Sequence, residues 1–236
     1  MSNYQPLDKS KHQELKIKPI HPCVLAKEKG VIPIGLRETV TACAEYPVVF
    51  VKDDSTGQFR LVVLVGLRPN QSLFYSSDGW LGKHIPKSAR SSPIALTQIA
   101  SDEHSLIVCV DTDSKMLSKV DGRSLFDDNG AQSDFLNELI ADAEDLYADH
   151  QLVKPFCDLL LEQNLLSPFS LNVEAEDGSN LELKGLYSID EAKLNQLDKD
   201  MLIKLRDQGA LPFVYAMLFS MARIDSLLKR YNEQSR

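Results

Sequence analysis

A chain of 236 residues with 43% hydrophobic and 25% charged content has apolar sequence enough for an ordinary globular core, which excludes a disordered or fibrous protein. Its net charge of -8 is unevenly placed, with +3 over residues 1–125 and -11 over residues 126–236. No nucleic-acid partner is expected, because phosphate binding needs a dense patch of Lys and Arg that neither half supplies.

The first twenty residues carry Lys9, Lys11, Lys16 and Lys18, interrupted by Asp8 and Glu14. This stretch has no apolar h-region and reads as a solvated lead-in, not a secretory signal. Residues 36–46 suit a short helix that Pro47 ends, since a residue preceding proline is pushed out of the helical region. Val48, Val49, Phe50 and Val51 are β-branched or aromatic, and Asp53, Asp54, Ser55, Thr56 and Gly57 follow as a turn. Residues 59–67 return as a second apolar strand, so a hairpin is expected. Residues 72–75 and 106–110 are further strand candidates.

The second half changes period. Ser133 is a suitable N-cap for a helix whose apolar positions are Phe135, Leu136, Leu139 and Ile140. Helical spacing resumes over residues 153–166, with Pro155 near its start. Residues 171–173 and 181–183 alternate apolar and polar around Asp177 and Gly178, the signature of a hairpin. Asp190 and Glu191 open a helix through Leu194, Leu197, Leu202 and Ile203, and Gly209 stops it. A last helix follows Pro212, with Val214, Tyr215, Leu218, Met221, Ile224, Leu227 and Leu228 on one face.

These elements predict an α+β fold. A β-rich region over residues 1–125, with an antiparallel, barrel-like or curled sheet, precedes a mainly helical region over 126–236 that holds one hairpin. The two are expected to pack as one compact unit. The longest apolar runs, 61–67 and 213–222, fall short of the roughly 20 residues that cross a bilayer, so no membrane insertion is expected. Cys23, Cys43, Cys109 and Cys157 form no CxxC pair, and read as thiols of a reducing, cytoplasmic compartment.

No phosphate loop, GxGxxG, GxSxG or HExxH occurs, and no metal or cofactor is expected. Ser226 and Lys229 match SxxK without its companion motifs and read as a polar helix face. The stretch 127–130 fails the calcium-loop frame at its glycine and reads as a turn. His12, His21, His84, His104 and His150 lie too far apart to show ligand pairing. A nucleophile that pairs Cys23 with His21 is conceivable, but His21 and Pro22 more simply mark an extended entry segment.

One loop concentrates recognition chemistry. Trp80 follows Ser77, Asp78 and Gly79, and is itself followed by His84, Ile85, Pro86 and Arg90. An amphipathic aromatic near a guanidinium is a common contact pair, while a tryptophan plugging the edge of a β-rich core is the plainer alternative. Tyr46, His84 and Arg90 form a second candidate set, of dispersed polar groups converging on a pocket.

The same segments resemble the SapC family over nearly the whole chain. The resemblance rests on Pro33 and Glu38 ahead of Tyr46, Pro47, Val48, Val49 and Phe50, then on Leu64, Val65, Gly66 and Leu67. It continues through Ser72, Leu73, Phe74, Gly79, Trp80, Ile85, Pro86 and Arg90, and then Asp121, Gly122, Leu125, Phe126 and Gly130. Residues 186–209 and 215–228 complete it. Where family members read Arg-Arg-Tyr-Pro-Phe, this chain has Arg90, Ser91, Ser92, Pro93 and Ile94, so Ser91 and Ser92 replace an Arg-Tyr pair. The resemblance implies a bacterial accessory protein, linked to surface-protein secretion or to halogenase-like flavoproteins, and brings no catalytic residues with it. The expected function is therefore non-enzymatic, with a protein partner that meets Trp80 and Arg90. An enzyme or small-molecule-binding subunit is the alternative.

Overall fold

β-branched and aromatic runs become strands where a partner strand and a covering helix bury both of their faces. The computed structural model describes residues 3–18, 22–77, 79–99 and 102–235. Its strands are β1 (Tyr4–Pro6), β2 (Lys16–Ile17), β3 (Val31–Pro33), β4 (Val48–Lys52), β5 (Phe59–Leu64), β6 (Tyr75–Ser76) and β7 (Gly79–Trp80). They continue with β8 (Ile94–Ile99), β9 (Asp102–Asp111), β10 (Leu117–Ser118), β11 (Arg123–Ser124), β12 (Leu166–Glu174) and β13 (Asn180–Ile189). The helices are α1 (Lys9–His12), α2 (Thr39–Ala42), α3 (Lys87–Arg90), α4 (Asp134–Gln151) and α5 (Val153–Glu162). After β13 come α6 (Glu191–Leu194), α7 (Lys199–Asp207), α8 (Leu211–Ser220) and α9 (Arg223–Ser235). The fold is α+β, with most of the sheet in the first half of the chain and most of the helix in the second.

Two compact units result, each drawing on both halves of the sequence. The first comprises Met1–Leu25 and Lys87–Ala148, the second Ala26–Pro86 and Asp149–Arg236.

In the first unit, β9 pairs with β1 and β8, and β2 pairs with β10 and β11, all antiparallel. Ile17, Ile94, Val110, Met116, Leu125, Phe126 and Leu136 form its buried core. Ser133 caps α4 as its residue type predicts, its hydroxyl accepting the N–H of Leu136 at 3.2 Å. His12 is a satisfied buried histidine whose Nδ1 accepts the N–H of Asp8 at 2.9 Å. The turn at Asp127 closes with Gly130 at φ 73° and Asp127 Oδ1 on the N–H of Ala131.

In the second unit, an open five-stranded antiparallel sheet runs β12-β13-β4-β5-β3 and does not close into a barrel. The β4–β5 hairpin turns where expected: Asp53 Oδ1 accepts the N–H of Ser55 and Thr56, and Gly57 takes φ 69°. The hairpin at Asp177 and Gly178 is longer than its alternating core, because β12 and β13 extend back to Leu166 and forward to Ile189. Val48, Val49 and Phe50 are fully buried, so both faces of β4 are covered. Phe50 meets Phe156 of α5 at 6.2 Å, and Phe156 meets Phe213 of α8 edge-on at 6.0 Å. Ser220 ends α8 on the sheet, accepting the N–H of Val48 and donating to the carbonyl of Met217.

Several elements differ from the sequence reading: of residues 72–75 only Tyr75 is strand, and the helix expected over 153–166 stops at Glu162, with Leu166 already in β12. Within residues 36–46 only Thr39–Ala42 is helical, the remainder being turns that carry the chain to β4. The helix expected from Asp190 to Gly209 is two helices, because Asp198 accepts the N–H of Met201 and starts a new one. The final helix likewise breaks at Met221 and Ala222. Leu211–Ser235 reaches the length and apolarity of a membrane-crossing segment, a property that core helices share, and contains five charged residues.

Candidate functional site

Tyr46 sits where the turns after α2 deliver the chain into β4, and it is fully buried. A buried phenol must satisfy both roles of its hydroxyl. It donates to the carbonyl of His84 at 2.5 Å and accepts the indole N–H of Trp80 at 2.9 Å. The same indole N–H lies 3.2 Å from the His84 carbonyl. Trp80 stacks on Phe74 with centroids 5.7 Å apart, and the Arg230 guanidinium stands 4.4 Å over that Phe74 ring. Trp80 therefore forms part of an aromatic cluster with Tyr46 and Phe74. Asp78, in the same loop, lies outside the described residues.

Two further contacts strap the segment between Trp80 and Pro86. The Glu45 carboxylate accepts the N–H of Lys83 at 2.8 Å and of His84 at 2.9 Å. Gly82 lets the chain pass between these groups, since a Cβ there would stand 2.3 Å from Tyr46 Oη and 2.8 Å from Glu45 Oε2.

Held by its backbone, His84 turns its ring toward Glu38, with Nε2 2.8 Å from Oε1. The Glu38 side chain is 1% exposed and the His84 side chain 22%. A carboxylate accepting from Nε2–H leaves the lone pair on Nδ1, and Nδ1 has no partner among the described residues. A buried carboxylate orienting a partly exposed imidazole is an arrangement suited to moving a proton.

Around Gly35 lies a second buried polar group. Asp149 is 1% exposed, and its Oδ1 accepts the N–H of Arg37 at 2.8 Å. Its Oδ2, the hydroxyl of Thr39 and Nε2 of His150 have no hydrogen-bond partner among the described residues. Burial pulls the His150 pKa down, against the opposing pull of Asp149 and Glu38. Among the described residues no cluster of three or more His, Cys, Asp or Glu side chains is placed to hold a metal.

Of the expected site residues, Tyr46, Trp80 and His84 are brought together in the second unit. Arg90 belongs to the first unit, where its guanidinium meets Asp142 at 2.8 Å and neighbouring Lys87 pairs with Asp145. Ser91 is buried beside it, and the Ser92–Pro93 peptide is cis. His21 lies outside the described residues, as do the side chains of Cys23 and His104. Sequence reasoning did not single out Glu38 or Asp149 as site residues. Their burial comes from contacts 46 and 112 residues away along the chain, which no local pattern signals.

The fold and this site define an α+β protein with a carboxylate–imidazole pair fastened beneath an aromatic cluster. A family model described as SapC matches residues 7–227, so the chain belongs to the SapC family. No curated protein and no solved structure matches it.

Proposed function

We propose that this SapC-family chain is a cytoplasmic accessory protein that binds another protein and performs no chemistry of its own. The observation that carries the reading is on α8. Tyr215 and Phe219 stack at 6.1 Å on its outer side while 42% and 71% exposed, and Val40 of α2, the helix that packs on α8, is 51% exposed. Exposed aromatics one helical turn apart are the usual anchors of a protein interface, where burial of a rigid ring costs little conformational entropy. Trp80 and Arg90, the contact suggested by sequence, already use their polar groups within their own units, so the support moves to α8.

Arg223, Asp225, Lys229, Arg230 and Glu233 follow in α9, and charges at that density favour a protein partner over hydrocarbon. Cys43, Cys109 and Cys157 are free thiols, which suits a reducing compartment. The family resemblance supplies the partner classes, a surface-secretion component or a halogenase-like flavoprotein. Affinity capture from native cells is expected to recover one such partner with the wild-type chain. The Tyr215→Ser/Phe219→Ser variant should lose it while keeping the wild-type melting temperature. Equal recovery by the two proteins rules this surface out.

The Glu38–His84 pair favours a second reading, an enzyme or small-molecule-binding subunit, because a buried carboxylate orients a partly exposed imidazole whose Nδ1 has no partner among the described residues. Native mass spectrometry of the purified chain would then show a bound small molecule that His84→Ala no longer retains. A bare mass for the wild-type protein refutes it.

A further inference from the structure

Within the second unit, α5, the start of α8 and the segment leading into α2 enclose a cleft of about 410 Å³. That size lies in the range of small-molecule sites, roughly 300–1,000 Å³. Its walls are apolar, chiefly Phe156, Leu159 and Phe213, and the edge-on contact of the two rings holds them in place.

The polar lining is short and unbalanced. Gln208 is neutral, and Glu162 is engaged by Lys204 at 3.3 Å. Arg37 makes no salt bridge or side-chain hydrogen bond among the described residues, although its backbone N–H is fixed to buried Asp149. An apolar trough with one uncommitted guanidinium is complementary to a molecule with an apolar body and a single anionic end. Carboxylate matches the guanidinium fork with two parallel hydrogen bonds.

We propose that this cleft binds a medium-chain fatty carboxylate, its chain against Phe156, Leu159 and Phe213 and its carboxylate on Arg37. The site is separate from the exposed Tyr215–Phe219 pair and from the Glu38–His84 pair, and the ligand is bound without reaction.

Isothermal titration calorimetry of the full chain with decanoate, decanol, decyl phosphate and acetate tests it. Decanoate is expected to bind one per chain, decanol about tenfold more weakly for want of the charge, and acetate not at all. Decyl phosphate binding more tightly than decanoate would assign the site to phosphate esters and overturn the carboxylate assignment. Arg37→Gln, an exposed substitution that leaves the core intact, should bring decanoate down to the level of decanol. Tyr215→Ser/Phe219→Ser should leave decanoate binding unchanged, which separates this site from the protein contact. No saturable binding of decanoate, several molecules per chain, or an Arg37→Gln affinity within about twofold of wild type each overturns the proposal.

Discussion

Tyr46→Phe is expected to lower the free energy of unfolding by about 2 kcal/mol, with the urea midpoint falling and the slope of the transition unchanged. The substitution removes one oxygen and opens no cavity, so the loss is almost wholly that of hydrogen bonds. Two groups lose their partner at once, the indole N–H of Trp80 and the carbonyl of His84. Each is at least partly buried, and a stranded buried polar group costs about 1–3 kcal/mol. The remaining 3.2 Å approach of the indole to the His84 carbonyl recovers part of that, which keeps the expected figure below the sum. Trp80 is the chain's only tryptophan, so its fluorescence reports on the group being disturbed. A shift of the native emission should accompany the midpoint change. A variant as stable as the wild type, with the same emission, would mean that the hydroxyl is not the fastening the geometry makes it.

What the sequence disclosed follows the range of each interaction. The β4–β5 hairpin, the Ser133 cap and the turn at Asp127 are local, each decided by residues within five positions of one another, and each forms as its residue types demand. The break between α6 and α7 was also encoded, by Asp198 ahead of Met201, but the apolar period through Leu194, Leu197 and Leu202 masked it. An apolar period reports one face of a helix and is blind to a cap that interrupts it.

The site was half legible for the same reason. Trp80 and His84 share one short loop, and their residue types announce a polar-aromatic cluster. Tyr46 is distant from both in sequence, and the contacts that unite the three run across 34 and 38 positions. Arg90 is a different case: only six positions beyond His84, it belongs to the other compact unit. Nearness along the chain carried it into the candidate set, and the chain enters the other unit at Lys87. Tyr215 keeps the apolar period of its helix, and such a face ordinarily packs on a core. Its ring instead lies on the outer side of α8, where it becomes the basis of the proposed partner contact.

A larger effect than that of Tyr46→Phe is expected at Gly35, where the constraint is space and not conformation. A Cβ there would lie 2.2 Å from Asp149 Oδ2, 2.4 Å from its Cγ and 2.7 Å from its Cβ. Asp149 is 1% exposed, and its other oxygen holds the N–H of Arg37, so turning the carboxyl aside costs that hydrogen bond. Gly35→Ala therefore combines overpacking with loss of a buried hydrogen bond, and should cost about 3 kcal/mol or more. Asp149→Ala removes the two closest of these contacts and leaves only the Cβ approach. In that background, Gly35→Ala is expected to cost at least about 1 kcal/mol less than in the wild type. Urea denaturation of the two single variants and the double variant measures this coupling directly. Strict additivity would show that Asp149 is not what Gly35 makes room for. Because Asp149 also sets the backbone at Arg37, both single variants should weaken decanoate binding while Tyr46→Phe leaves it untouched. That division separates the fastening of the cleft from the fastening of the aromatic cluster.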